Sequence, residues 1–339
     1  MRRLVSRVDI LKVETNTVFR IQAVTSVRIA SSYDSLTDTC VIEFPRGLKV
    51  KTQANNGAIE YTTGIELKVG DFVEVFIEYD TLRGKKSRFR GYVKNISPKR
   101  PVRIELEDEM FLLKRHRLKF SYKDTKVEDI VKQMEAVLPI RFVTGTIGKF
   151  RSDNMTSAQI LQKLKSKYGF TSFVRNGILY FGKRFWEEYR TEHILDFTYN
   201  VIEDQLTFRT EEEIDMTVRA TSVIPTASGK DQQISVEVGD GFEQYKTLHF
   251  YNITDKEQLK RLAESELKRH DFTGYRGALT LFGEPYVQHG DVVVLRNVRY
   301  PEKTGKYLVR SVVTTFGQQG FRQEVELDVR LSGEVDKLL

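Results

Sequence analysis

The chain has 339 residues, 40% of them hydrophobic and 30% charged, with a formal net charge of +7. Such length and apolar content bury a large core in two or three domains and exclude a disordered chain. The single cysteine, Cys40, excludes an intrachain disulfide and a cysteine metal cluster, and no run approaches the roughly 18 apolar residues of a membrane-spanning helix.

From Val8 to Arg117 the pattern is mostly period-two alternation interrupted by turn residues, as antiparallel strands require. Val18–Val24, Val27–Ala30 and Thr39–Phe44 alternate, Cys40 is expected as a small half-buried strand residue, and Asn55-Asn56-Gly57 breaks the next segment. No amphipathic helix is expected in this stretch. The pattern predicts a first β-domain, a barrel or a sandwich, over residues 1–117.

The middle of the chain changes period. Thr125-Lys126-Val127-Glu128 has capping-box spacing, and Val127, Ile130, Val131, Met134, Val137 and Leu138 recur helically until Pro139. Thr156-Ser157-Ala158-Gln159 repeats the device before Ile160, Leu161, Leu164 and Tyr168, with Gly169 as the stop. Phe170–Val174 and Ile178–Phe181 flank Arg175-Asn176-Gly177, a type I′ hairpin signal because Asn-Gly tolerates positive φ. With the strand Ile140–Val143, these elements predict a small α+β module over residues 118–190. Trp186 is read as an anchor between this module and the second β-domain.

Strands return at Gln205–Phe208, Met216–Ala220 and Ile234–Val238, with Ser228-Gly229-Lys230 and Gly239-Asp240-Gly241 as loop tips. Thr254-Asp255-Lys256-Glu257 opens one more helix, with Leu259, Leu262, Ala263 and Leu267 on one stripe. Residues 191–339 are thus expected to be a second β-barrel domain with one inserted helix near 255–270. The fold class is mainly β with an α+β insertion: two similar antiparallel β-barrels flanking the module.

The two β-domains carry the same signature. Gly70-Asp71-Phe72-Val73-Glu74-Val75 leads to Gly91–Ile96 and then Ile104–Glu107; about 220 residues later Gly290-Asp291-Val292-Val293-Val294-Leu295 leads to Tyr307–Val312 and Val325–Asp328. A period this long points to a duplicated domain, since solenoid repeats are far shorter. Each Gly-Asp pair is read as a tight turn in which Gly takes positive φ and Asp bonds the backbone.

Chemistry has little foothold. The five histidines form no H-x-x-x-H pair, and there is no nucleophile elbow, Walker loop or G-x-G-x-x-G opening a helix. Glu107-Asp108-Glu109 and Glu211-Glu212-Glu213 are carboxylate clusters, expected on solvated strand edges. No motif asks for a metal or cofactor. The charge is local: residues 83–119 hold 13 Lys/Arg against 4 Asp/Glu, a net of +9 that leaves −2 for the rest. Arg83, Lys85, Lys86, Arg88, Arg90, Lys114, Arg115 and Arg117 form the candidate docking patch, facing an acidic protein partner, a neighbouring subunit or phosphate. A nucleic-acid-binding β-protein is accordingly the alternative reading.

The stretch from Ala263-Glu264-Ser265-Glu266-Leu267 through Tyr275-Arg276-Gly277-Ala278-Leu279-Thr280-Leu281-Phe282-Gly283-Glu284-Pro285, His289-Gly290-Asp291 and Gly305-Lys306-Tyr307-Leu308-Val309 resembles the late control protein D group, the baseplate hub proteins of contractile phage tails, related to the hub part of type VI secretion spikes. The likeness covers most of residues 195–331. It implies two tail-tube-like barrels per chain and a homotrimer whose six barrels form a pseudo-six-fold ring. Such a ring joins a hexameric tail tube protein to a trimeric central spike protein and encloses a channel. Tape measure and other baseplate proteins would be partners, DNA only transported cargo, and membrane insertion by this chain is not expected. The sequence ends without a β-helical needle, so the spike is expected as a separate chain. The implied place is the virion tail, after assembly in the host bacterial cytoplasm. The resemblance favours a structural protein over an enzyme; a tail-associated cell-wall hydrolase is the remaining alternative, lacking a paired-carboxylate or metal constellation.

Overall fold

A computed structural model describes residues 3–22, 24–45, 49–52, 59–61, 67–80, 87–97, 100–183, 186, 190–210, 215–224, 232–242, 244–251, 253–270, 273–299 and 304–331. The Asn55-Asn56-Gly57 break, the Ser228-Gly229-Lys230 tip and the Glu211-Glu212-Glu213 cluster lie outside them. The first unit holds β1 (Leu4–Lys12), β2 (Thr17–Ile21), β3 (Ser26–Ser32), β4 (Thr39–Phe44), β5 (Lys49–Thr52), β6 (Ile59–Tyr61), β7 (Phe72–Tyr79), β8 (Phe89–Ser97) and β9 (Val102–Glu107). Alternation decides which face is buried: β7 turns Val73, Val75, Ile77 and Tyr79 inward. Inward residues of β1, β2, β3, β4, β7, β8 and β9 share one core, which a sheet can achieve only by curling. Cys40 is fully buried there, beyond the half-burial expected, and desolvation drives its thiol pKa strongly upward.

The module begins with α1 (Met110–Leu113), a short helix that the alternation gave no reason to expect, followed by β10 (Arg117–Lys126), α2 (Val127–Met134), β11 (Ile140–Phe142), β12 (Thr146–Thr156), α3 (Ser157–Tyr168), β13 (Thr171–Arg175) and β14 (Ile178–Gly182). The box opening α3 forms as read: the Gln159 amide N–H donates to Thr156 Oγ1 (3.1 Å), and the Thr156 N–H to Gln159 Oε1 (2.8 Å). Gly169 closes the helix at φ 72°. The α2 start lies one residue later than expected: Lys126 is the N-cap, and its N–H donates to Asp129 Oδ2 (3.3 Å). The lysine ammonium has no acceptor with which to complete a box. Asn176 (φ 53°) and Gly177 (φ 75°) turn the β13–β14 hairpin, and β11 pairs in parallel with β14.

The second unit holds β15 (Glu192–Asp196), β16 (Val201–Arg209), β17 (Met216–Ile224), β18 (Gln232–Val238), β19 (Gln244–Tyr251), α4 (Lys256–His270), β20 (Gly274–Phe282), β21 (Val292–Arg296), β22 (Gly305–Gly317) and β23 (Gly320–Leu331). The insertion here is larger than a helix. β18-β17-β19 form their own sheet, with Met216, Val218 and Ala220 packed on Leu259 and Ala263 of α4. Asp255 rather than Thr254 accepts the Glu257 N–H at the start of that helix (2.9 Å).

The two β-units repeat one strand order. β3-β4-β9-β8-β7-β1 in the first corresponds to β16-β20-β23-β22-β21-β15 in the second, and the first four ladders of each are antiparallel. The fifth differs: β1 runs antiparallel to β7, whereas β15 runs parallel to β21. The units join edge to edge, because the second half of β22 leaves β21 and pairs antiparallel with β3, from Ser311–Ser32 to Phe316–Val27. One fifteen-stranded sheet results, and the outer edge of β3 meets β22 instead of closing the first unit on itself. The three units also share an apolar junction of Tyr33, Phe173, Tyr180, Trp186, Val292, Leu308, Val329 and Leu331.

Candidate assembly interface

The two Gly-Asp turns have nearly the same hydrogen bonds. Gly70 (φ 100°) donates to the Val93 carbonyl and Gly290 (φ 80°) to that of Val309, both at 2.8 Å. Val93 and Val309 return N–H bonds to the Asp71 and Asp291 carbonyls, both at 2.9 Å. Each aspartate then accepts the N–H three residues back, from Lys68 (2.8 Å) or Gln288 (2.9 Å), and one from a neighbouring segment, Val13 or Thr191 (both 3.4 Å).

The second turn takes a further load from the module. Arg175, at the end of β13, donates to Asp291 Oδ1 (2.9 Å), Gln288 Oε1 (3.0 Å) and the His289 carbonyl (2.9 Å). His193 Nε2 lies 3.2 Å from Asp291 Oδ2. Burial disfavours the Asp291 charge, but the His193 hydrogen bond and the Arg175 guanidinium outweigh it and hold the carboxyl below its ordinary range. The hairpin of the module is therefore latched to the second unit. Trp186 completes the latch, its ring edge-on to Tyr180 at 5.4 Å within the junction core.

The basic segment is divided by the fold. Arg83, Lys85 and Lys86 lie outside the described residues. Arg88 is turned inward: it pairs with Glu284, its guanidinium lies 4.1 Å from the Tyr286 ring centroid, and its carbonyl accepts from the Tyr286 hydroxyl (3.1 Å). It bridges the two β-units and takes no part in a solvated rim. Arg90 pairs with Glu74 (3.0 Å), Lys114 with Glu107 (2.8 Å), Arg115 lies on the Phe111 ring (3.4 Å), and Arg117 donates to the Asn154 carbonyl (3.0 Å).

The carboxylates beside them correct the solvated-edge expectation, since Glu107, Asp108 and Glu109 are all buried. Burial opposes the Glu107 charge, yet hydrogen bonds from Lys114 and Lys94 lower its pKa. Asp108 accepts the N–H groups of Met110 (3.0 Å) and Asp38 (2.9 Å), tying α1 to the loop after β3. Burial, with Asp38 nearby, pushes its pKa well above the ordinary value. The cluster is a structural joint. Among the described residues no group of three His, Cys, Asp or Glu side chains could hold a metal ion.

Sequence reading missed Arg175, His193, His289 and Asp38 at this junction. Their signal was present only in part: an arginine directly before Asn-Gly, and a histidine, His289, directly before the second Gly-Asp pair where the first has Val69.

No family model and no curated protein matches the chain. Solved structures do. A tail protein from Neisseria meningitidis superimposes with a TM-score of 0.62 at 11% identity, covering 97% of each chain. The 43 kDa tail protein of prophage MuSo2 from Shewanella oneidensis gives 0.62 at 15% identity, over 95% of this chain and 98% of that one. The E. coli c3393 protein, a type VI secretion component described as structurally similar to the T4 tail proteins gp27 and gp5, gives 0.58 at 10% identity, over 96% and 77%. The resemblance read in the sequence and the fold agree: this chain has the fold of these tail proteins and of that type VI secretion component.

Proposed function

We propose that the chain is a structural tail hub of a phage or phage-like contractile particle, acting as a homotrimer between a hexameric tail tube and a trimeric central spike, with its β-units around a channel. The carrying observation is the duplicated unit, with one strand order and one turn geometry, joined edge to edge in a single sheet. Two equivalent units per chain let three copies present six similar edges to a six-fold partner. Fold likeness to phage tail proteins supports a place in a tail, and a scaffolding role rather than catalysis. The described basic side chains of the candidate patch are engaged within the chain, which weighs against the nucleic-acid reading.

Light scattering on the purified chain tests the assembly: a mass three times that of the 39.4 kDa subunit is expected. A monomer at all concentrations overturns the proposal. Electron microscopy of the trimer should then resolve six similar β-units around an axial opening.

A further inference from the structure

The ladder between β22 and β3 joins the two halves of the repeat and, among the described residues, leaves the edges equivalent to this seam, on β8 and β16, uncovered. On β22, a bulge at Val309/Ser311 releases the strand from β21 and frees the residues from Ser311 onward to bind β3. β8 has the same bulge at Val93/Asn95, and Asn95 lies opposite Glu105 as Ser311 lies opposite Glu326. Beyond that bulge, among the described residues, the edge of β8 away from β9 has no ladder partner. β16, the counterpart of β3, pairs among the described residues with β20 alone. One residue shows the asymmetry directly. The position before the turn glycine is His289 in the second unit, 3% exposed and facing Tyr33 beyond β3; in the first unit it is Val69, 55% exposed.

We propose that these two open edges are partners, with β16 of a second copy pairing antiparallel to β8 as β3 pairs to β22. The inference rests on the trimer reading and adds its interface. The register comes from the repeat. Ala30 opposes Thr39 as Thr207 opposes Arg276, and Val313 opposes Glu324 as Ser97 opposes Arg103. The Val313–Ala30 pair of the internal seam therefore becomes Ser97 against Thr207 of the neighbour. Charge agrees with this alignment. Continuing it brings exposed Arg100, at the β8–β9 connection, towards exposed Glu203 and Asp204 on β16. An exposed edge strand that pairs with its own kind must otherwise be blunted, and β16 instead exposes Ile202, with Phe282 exposed on the adjacent β20. The contact is head-to-tail, and it closes only when the rotation from unit to unit completes a turn.

Full-length chain carrying Ser97→Cys and Thr207→Cys tests the pairing, because Cys40 is fully buried and does not compete. A second variant, Ala30→Cys with Val313→Cys, places the same pair in the internal seam and should form an intrachain disulfide. Mild oxidation of the first variant should give a covalent trimer on a non-reducing gel, with dimer as its intermediate, while each single variant gives none. If light scattering reports a trimer and the internal control closes but no covalent trimer forms, the interface lies elsewhere and the inference falls while the hub reading stands. A ladder running past trimer also overturns it. A chain that stays monomeric overturns both.

Discussion

Arg175 and Asp291 are the pair on which the junction depends. Both side chains are nearly inaccessible, so removing Arg175 leaves the buried Asp291 charge without its guanidinium partner. Arg175→Met should cost about 3–5 kcal/mol, read as a lower urea midpoint with an unchanged slope. Asp108 behaves oppositely with pH. Its folded pKa lies above its unfolded one, so its contribution favours the fold at low pH and is lost as pH rises past about 4. Asp108→Asn lacks that titration and also loses a hydrogen bond, so the parent's advantage over the variant should shrink as pH rises above about 4. Denaturant titrations at several pH values check the slope. Sequence could not place these groups, because neighbouring carboxylates alternate faces only within a regular strand. Asp108 and Glu109 have already left β9 and turn into α1.

At the scale of elements, features set by local chemistry were legible and those set by distant pairing were not. The α3 box, the Gly169 stop and the Asn-Gly hairpin each depend on residues within one turn of one another. Thr156→Ala should lower stability by about 1 kcal/mol, measured by thermal or urea unfolding. The reversal of β15 relative to β1 has no local signal, since period-two alternation reads the same in either direction. The separate sheet beside α4 was hidden for a similar reason: β17, β18 and β19 alternate like the main strands, and only their long-range pairing sets them apart. One glycine of the repeat has a packing role the motif did not announce. A Cβ on Gly91 would lie 2.1 Å from the Glu107 carbonyl oxygen. Gly91→Ala should therefore force β8 from β9 at a cost of about 1–3 kcal/mol.

For the whole molecule, the shared junction core makes the three units interdependent. Trp186, the chain's only tryptophan, lies inside that core. Its fluorescence and the far-ultraviolet circular dichroism should lose their native signals at the same denaturant concentration, as one cooperative transition requires. Separate midpoints would mean that the junction opens before the sheets.

The seam between β3 and β22 also bears on synthesis. β3 ends at Ser32, but the strand that covers its outer edge starts at Gly305 and emerges far later in translation. Until then the nascent chain presents a bare edge above a largely formed sheet. Contacts so distant in sequence form slowly, and an open edge recruits other chains. Cells producing fragments that stop before Gly305 should accumulate them in the insoluble fraction, and supplying a chaperone that shields strand edges should raise the yield of full-length protein.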